Sequence, residues 1–180
     1  MSQYCPNCAN KIVPAKGSSS AKFMIVGEYP GDVEYEKGYP FAGPAGYVLR
    51  TELARVGLDF VKFRIANLWL HDPPKGEDYN KCFQVGYNLI LDDAKNKSAI
   101  LLVGSDVVET FTNGYKVSEI NGLRLDQDDH IFSCQNVMAM INPAIVFRPK
   151  KGVGEVRFAI EQFEKMLKEE GLMKNDQENE

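Results

Sequence analysis

The stretch FMIVGEYPG, residues 23–31, decides the fold class of this chain. Its first four residues are all apolar, which is typical of a strand buried on both faces of a parallel sheet. Residues 28–43 hold closely spaced prolines and glycines and show no helical period, so we predict a long loop over the end of this strand. Loops at the carboxyl ends of parallel strands commonly carry the functional residues of an α/β protein.

Strands and helices alternate along the rest of the chain. From Pro44 the apolar positions recur at helical spacing until Gly57, a C-terminal cap, and Ser105 is a natural N-cap for a later helix. This alternation predicts a three-layer α/β/α sandwich with a central four-stranded parallel sheet. The polar segment 113–129 is predicted to be an irregular connection or a weak hairpin. The further predicted strands are 63–69, 100–103 and 137–141, and the further helices are 79–94 and 155–170.

The chain has 180 residues, of which 44% are hydrophobic, enough to bury one sizeable core. We predict one domain over residues 1–170, in which residues 1–22 form an N-terminal metal-ligand segment and linker. Residues 171–180 are predicted to form an acidic disordered tail. No apolar run is long enough to cross a bilayer, and no apolar signal region precedes the first strand. We therefore expect a soluble cytoplasmic protein with no membrane partner.

The formal net charge of −4 does not suit a protein with a large phosphate-binding surface. Five acids and one base lie from Glu169 onward, so the remainder of the chain is neutral. A domain with no net charge can still have a small basic patch on its surface. Any contact with nucleic acid is therefore predicted to be local.

Three loops are predicted to meet at the carboxyl edge of the sheet, and each holds a motif. The motifs are GEYPGDVEYEKGYPFAGPAG at 27–46, NLWLHDPP at 67–74 and NPA at 142–144. In this order they resemble the motifs of the bacterial and archaeal family 4 uracil-DNA glycosylases. The first resembles GE-x-PG followed by G-x-PF-x-G-x-AG, and the second resembles N-x-x-K-C-x-PP. The third stands where the superfamily usually has HPS. The resemblance implies a uracil-DNA glycosylase-like sandwich. It also implies a monofunctional hydrolase of base-excision repair that cleaves the N-glycosidic bond of uracil, or a related or modified pyrimidine, in DNA.

The resemblance further implies a role for each residue of the site. Such an enzyme must flip a pyrimidine out of the DNA and hold it while the base leaves as an anion. Phe41 would stack on the base, the Asn67 amide would bond its Watson–Crick edge, and Glu28 would place the attacking water. Considered one at a time, these residues also have simpler interpretations: Phe41 as a core residue, Asn67 as a turn residue and Glu28 as a surface carboxylate. The implied base-binding residues are Gly27, Tyr29, Phe41 and Asn67, and the implied catalytic residues are Glu28 and Asn142.

Two residues depart from the family pattern. Asn142 stands where the family usually has histidine, and an amide stabilises a leaving anion less well than an imidazole does. The mismatch-specific thymine/uracil glycosylases, however, also have asparagine at this position. Tyr29 replaces a small residue at the pocket wall. These departures leave open an alternative function, a catalytically silent or weak DNA- or base-binding accessory of replication or repair. A nucleotide-binding α/β protein without a DNA role has little support, because GEYPG lacks the phosphate-loop pattern.

The expected partner is DNA, either single-stranded or a duplex with a flipped pyrimidine. The segment FRPKK at 147–151 follows the NPA motif, and in the resembling family this region flanks the DNA minor groove. We therefore predict phosphate contacts from Arg148, Lys150 and Lys151 that weaken with salt, although a short basic run also suits a solvated loop. We expect the protein to be a monomer.

The resemblance also implies a metal site with four candidate ligands, namely Cys5, Cys8, His71 and Cys82. Family 4 enzymes hold a four-iron, four-sulfur cluster with four cysteines, and His71 occupies the third of those positions. The resemblance thus implies a 4Fe-4S cluster, whereas three cysteines and a histidine also suit tetrahedral zinc. In a third interpretation His71 only ends the strand and the site is lost. Cys134 is predicted to be a buried thiol.

Overall fold

A computed structural model describes residues 3–149 and 152–174 of the protein. Five strands form one central sheet: β1 Phe23–Gly27, β2 Phe63–Asn67, β3 Ala99–Val103, β4 Arg124–Leu125 and β5 Val137–Met140. Their order across the sheet is β2-β1-β3-β5-β4. Four strands are parallel, and the edge strand β4 pairs antiparallel with β5.

The predicted four-stranded sheet is one strand short of the observed one. The four parallel strands lie at the predicted places, and β4 is added inside the segment 113–129. β4 has only two residues, and its Arg124 is exposed, so it lacks the apolar run that marks a buried strand. β2 ends at Asn67, two residues before its predicted end.

The central strands owe their positions to apolar side chains on both faces. All five residues of β1 and of β3 are buried, and alternate residues of β1 pack into the two halves of the core. The parallel register sets Gly27 of β1 opposite Asn67 of β2. Two residues of the predicted site therefore lie side by side at the carboxyl edge of the sheet.

Helices cover both faces of the sheet, which confirms the three-layer α/β/α sandwich. They are α1 Asp32–Lys37, α2 Pro44–Arg55, α3 Asp78–Ala94, α4 Ser105–Phe111, α5 Val117–Ile120 and α6 Gly154–Glu169. Buried residues of α2 and α6 share one half of the core, and those of α3, α4 and α5 share the other. Gly57 follows α2 with a φ of 76°, as its predicted role in the cap requires.

The helix α1 corrects the prediction that residues 28–43 form a loop without a helix. The Glu34 carboxylate accepts hydrogen bonds from the backbone of Gly31 at 3.1 Å and of Gly43 at 2.7 Å. These two glycines are the N-caps of α1 and α2. One carboxylate thus satisfies backbone donors at the start of both helices, which the apolar pattern of the sequence does not reveal.

The start of α4 also differs from the prediction. Ser105 is its first residue, and the N-cap is Gly104, which has no side chain to bond the helix. The Glu28 carboxylate, which follows β1, accepts the backbone N–H of Asp106 at 3.1 Å instead. A side chain from a distant part of the chain therefore caps α4 in place of Ser105.

The packed part of the domain extends beyond the predicted boundary at residue 170. Leu172 and Met173 are partly buried against the core, and the Leu172 N–H donates to the Leu167 carbonyl at 2.8 Å. Residues 175–180, which belong to the predicted disordered tail, lie outside the described residues. Within the described ranges, no helix is both long and apolar enough to span a membrane.

Candidate active site and metal centre

Gly27, Phe41 and Asn67 meet at the carboxyl edge of the sheet and are called the edge trio below. A Cβ added at Gly27 would lie 2.6 Å from Asn67 Oδ1 and 2.7 Å from the Phe41 ring. Such contacts are too short for any residue other than glycine. The end of β1 therefore allows an aromatic ring and an amide to approach the same point, as the sequence predicted.

The loop before α2 holds Phe41 in an uncommon backbone conformation. Its φ of 56° lies in the left-handed region, which residues other than glycine rarely adopt. A Cβ at Gly46 would lie 1.8 Å from the Phe41 carbonyl oxygen, and the Arg50 guanidinium donates to the same oxygen. Strain of this kind persists where surrounding contacts enforce it, often at functional sites.

The strand pairing of the sheet fixes the position of Asn67, without a hydrogen bond from its side chain to any described residue. The residue is only 4% exposed. No hydrogen bond among residues 3–149 and 152–174 involves its amide group. Within the described residues, both the donor and the acceptor of this amide are therefore unpaired.

Glu28 connects the ends of three neighbouring strands. Its Oε1 accepts the Asp106 backbone N–H at 3.1 Å, and its Oε2 accepts the Asn142 amide at 2.6 Å. A Cβ at Gly104 would lie 2.3 Å from the Glu28 carboxyl carbon. The sequence interpretation missed the roles of Gly104 and Asp106, although a glycine directly after β3 was a visible signal of close packing.

Asn142 uses both ends of its amide within the protein. Its nitrogen donates to Glu28, and its oxygen accepts the backbone N–H of Ala144 at 3.0 Å, which caps the short helical turn Pro143–Phe147. One amide N–H has no partner in the described part of the chain. Asn142 therefore positions Glu28, whatever contact it also makes with a base.

A cleft of about 1200 Å³ opens beside Glu28. Tyr29 and Arg148 line it with exposed side chains, and Tyr29 is 51% exposed. Phe41 and Asn67 do not line this cleft. Lys150 and Lys151, the other predicted phosphate contacts, lie outside the described residues. The charged residues of the cleft lining are Glu28, Asp106, Glu109, Lys116, Glu119, Arg148 and Glu155.

The four predicted metal ligands come together as a compact set. The ligand atoms of Cys5, Cys8, His71 and Cys82 all lie within 4.8 Å of one another. Cys5 Sγ is 3.5 Å from Cys82 Sγ, and Cys8 Sγ is 3.4 Å from His71 Nε2. The His71 Nδ1 atom bonds the Asp72 carbonyl at 2.7 Å. Because a carbonyl only accepts, Nδ1 carries the proton and Nε2 is left to bind a cation.

The electrostatics of the set favour a bound cation. Burial raises the pKa of Cys5, but contacts with the backbone of Asn7 and Cys8 and the side chains of His71 and Cys82 outweigh it and lower this pKa to about 6. Burial and the neighbouring thiols of Cys5 and Cys8 raise the pKa of Cys82 to about 12. Cys134 is buried and lies outside the set, as predicted.

A match to a protein family model identifies the superfamily of this chain. A model of the uracil DNA glycosylase superfamily matches residues 14–170. The chain belongs to this superfamily. The matched range of the uracil DNA glycosylase superfamily includes the edge trio, Glu28 and Asn142, whereas Cys5 and Cys8 precede it.

Proteins named type-4 uracil-DNA glycosylase are similar to this superfamily member. That of Thermotoga maritima is 28% identical over 178 residues, which cover 93% of this chain and 90% of the relative. That of Archaeoglobus fulgidus is 41% identical over 66 residues, covering 37% of this chain and 33% of the relative. That of Pyrobaculum aerophilum is 39% identical over 69 residues, covering 38% and 35%. The two shorter matches thus span about a third of each relative.

Proposed function

We propose that this superfamily member is a monofunctional DNA glycosylase that hydrolyses the N-glycosidic bond of uracil, or of a related or modified pyrimidine, in DNA. The observation that carries the proposal is the edge trio with the anchored Glu28 carboxylate beside it. These residues offer an aromatic ring, an amide with a free donor and acceptor, and a fixed carboxylate. A flipped pyrimidine needs the first two, and hydrolysis at its sugar needs the third.

The edge trio would hold the flipped base. The base would stack on Phe41, whose ring approaches the end of β1 because Gly27 has no side chain. Uracil presents an N–H beside a carbonyl oxygen, and the Asn67 amide offers the complementary acceptor and donor. Since Asn67 is almost buried, this pairing would take place largely shielded from water.

Glu28 would place the attacking water. Each of its oxygens accepts one hydrogen bond from the protein and retains a lone pair for water. In the reaction the bond between sugar C1′ and the base nitrogen breaks, and its electron pair leaves with the base. The water oxygen bonds to C1′ and a water proton passes to Glu28. The second N–H of Asn142 would donate to the base oxygen that gains negative charge.

DNA would be held chiefly through the flipped base. Arg148 is exposed at the cleft beside Glu28 and would contact a phosphate. Among the described residues that line that cleft, acidic side chains outnumber basic ones, so the electrostatic contribution of these residues to binding would be small. Lys150 and Lys151 belong to the same proposed phosphate contact.

The set of Cys5, Cys8, His71 and Cys82 would hold a metal centre. A 4Fe-4S cluster is the centre that the family resemblance implies, and zinc is the alternative that the ligand types allow. A bound centre would fix the N-terminal segment to the residues that follow β2 and to α3. Glu28 belongs to a different motif from the four metal ligands, so no step of hydrolysis is assigned to the metal centre.

The experiment uses an oligonucleotide with one uracil, single-stranded or mismatched in a duplex, followed by alkaline cleavage of abasic sites. Wild type is expected to produce strand breaks. Glu28→Gln should lower the rate by roughly 100-fold or more, because an amide is a poor base. Glu109→Gln changes another acid of the same cleft and should leave the rate unchanged. No breaks at uracil or any other pyrimidine lesion would exclude the enzyme.

A second candidate is a non-hydrolysing DNA- or base-binding accessory. It is favoured by the bonds that Asn142 already makes to Glu28 and Ala144, which restrict its movement toward a base. This candidate predicts base-dependent binding of DNA without product. It also predicts that Asn142→His gains cleavage, since an imidazole stabilises a leaving anion better than an amide does.

A further inference from the structure

The spacing of the four metal ligands differs between the two centres under consideration. Around one tetrahedral zinc ion, with bonds of about 2.3 Å to sulfur and 2.0–2.1 Å to nitrogen, neighbouring ligand atoms lie about 3.5–3.8 Å apart. In a cubane cluster each ligand binds a different iron, and sulfides separate the irons, so the ligand atoms lie farther apart. The four ligand atoms all lie within 4.8 Å of one another, and the observed 3.5 Å between Cys5 and Cys82 and 3.4 Å between Cys8 and His71 are close to the spacing around one ion.

The segment that carries Cys5 and Cys8 is folded tightly enough to set this spacing. Its ends pair in an antiparallel bridge between Tyr4 and Lys11, and the Cys5 N–H donates to the Asn10 carbonyl at 2.8 Å. Ala9 takes a left-handed φ of 58° to close the turn. Two cysteines separated by two residues on such a turn have the usual spacing of a zinc ligand pair.

The other two ligands are held just as firmly on the opposite side. His71 is 2% exposed, and its bond to the Asp72 carbonyl directs Nε2 at the sulfur atoms. Cys82 lies in the first half of α3 and is buried. The Asn7 side chain donates to the Lys81 carbonyl at 3.0 Å and joins the N-terminal turn to α3.

We infer that Cys5, Cys8, His71 and Cys82 bind a single tetrahedral zinc ion in place of a four-iron cluster. All four positions are filled by protein ligands, so the ion is structural and has no open site for water or substrate. It fixes the N-terminal segment to the loop that leaves β2 four residues after Asn67. The inference does not depend on hydrolysis of DNA.

The first test is the metal content of the full chain, expressed with both iron and zinc in the medium and purified without oxygen. We expect one zinc per chain, no acid-labile sulfide and no visible absorption band. Chelator-treated protein given ferrous iron and sulfide should remain colourless, and the same protein given zinc should take up one equivalent. Iron and sulfide at four each per chain, in either preparation, would overturn the inference, as would failure to bind zinc.

Cobalt binding tests the role of His71 without any measurement of activity. Wild type should show the spectrum of tetrahedral Co²⁺ with three thiolates, and His71→Ala should bind Co²⁺ at least ~10-fold more weakly. Cys134→Ala removes the cysteine outside the set and serves as the matched control, with unchanged affinity. His71→Cys keeps four ligands and should raise the thiolate-to-cobalt absorption. Equal affinity of His71→Ala and wild type, or unchanged absorption in His71→Cys, would contradict His71 as a ligand.

Discussion

Gly104 is the residue on which the position of Glu28 depends most closely. Its φ is 106°, and a Cβ there would lie 2.3 Å from the Glu28 carboxyl carbon. Gly104→Ala should displace this carboxylate, lower the proposed glycosylase activity by at least ~10-fold and cost about 1–3 kcal/mol of stability through strain. Gly171→Ala is the matched control, because Gly171 has a φ of 65° and no described atom within 4 Å of its Cβ position. Initial rates should separate the variants; equal activities would contradict the role of Gly104.

His130 makes the stability of the fold depend on pH. Burial lowers the pKa of His130 below its usual 6.5, although the nearby Asp129 carboxylate and backbone contacts at Phe132 and His130 oppose this shift. Below pH 6.5 the unfolded chain therefore binds a proton more readily than the folded one, and stability falls as pH decreases. His130→Phe should show a smaller loss of stability between pH 7 and pH 5, measured by urea unfolding. A loss equal to that of wild type would show that His130 is not responsible.

At the scale of elements, an ion cluster around the buried Glu52 carboxylate joins α2 to α6. Glu52 is 4% exposed; Arg157 bonds its two oxygens at 3.0 and 3.1 Å, and Arg55 bonds one at 2.9 Å. The bonds from Arg157 are the main cause of a lowered pKa at Glu52, so this contribution is complete above pH 4.5 and is lost as pH falls below it. Glu52→Gln should cost about 1–3 kcal/mol at neutral pH and flatten the acid side of the stability profile.

Urea unfolding between pH 3 and pH 7 measures this contribution. Glu169→Gln is the control, because Glu169 makes an exposed contact of 3.8 Å with Lys165 on α6 alone. Exposed pairs of this kind contribute little, so the change should stay within about 0.5 kcal/mol. If the two variants lose equal stability, the ion cluster does not join α2 to α6 as described.

At the scale of the whole molecule, the metal set ties three separate parts of the chain together. Cys5 and Cys8 lie on the N-terminal turn, His71 follows β2, and Cys82 lies on α3. Removal of the proposed metal with a chelator should lower the Tm and make the N-terminal turn sensitive to protease, because ligand binding stabilises the folded state. Thermal unfolding and limited proteolysis, with and without added metal, check this. An unchanged Tm would show that the set does not stabilise the fold.

Much of this organisation could be predicted from local sequence. Apolar runs placed all four parallel strands, and the regular spacing of apolar residues placed α2, α3 and α6, because burial of one face produces that spacing. The elements α1 and β4 and the helix caps that were missed depend on contacts with distant residues. α1 and α2 share a cap from Glu34, α4 takes its cap from Glu28, and β4 exists only through its pairing with β5.

The sequence by itself determined the fold class, and its resemblance to the family 4 uracil-DNA glycosylases implied the site at the carboxyl edge and the four candidate metal ligands. Apolar spacing suffices for the fold class, because burial of one face of a strand or helix produces that spacing. Only the tertiary structure decided that Asn142 bonds Glu28, that Gly104 makes room for this carboxylate and that the ligands are spaced for one ion. These features depend on distances of a few ångströms between strands far apart in sequence, which packing alone sets.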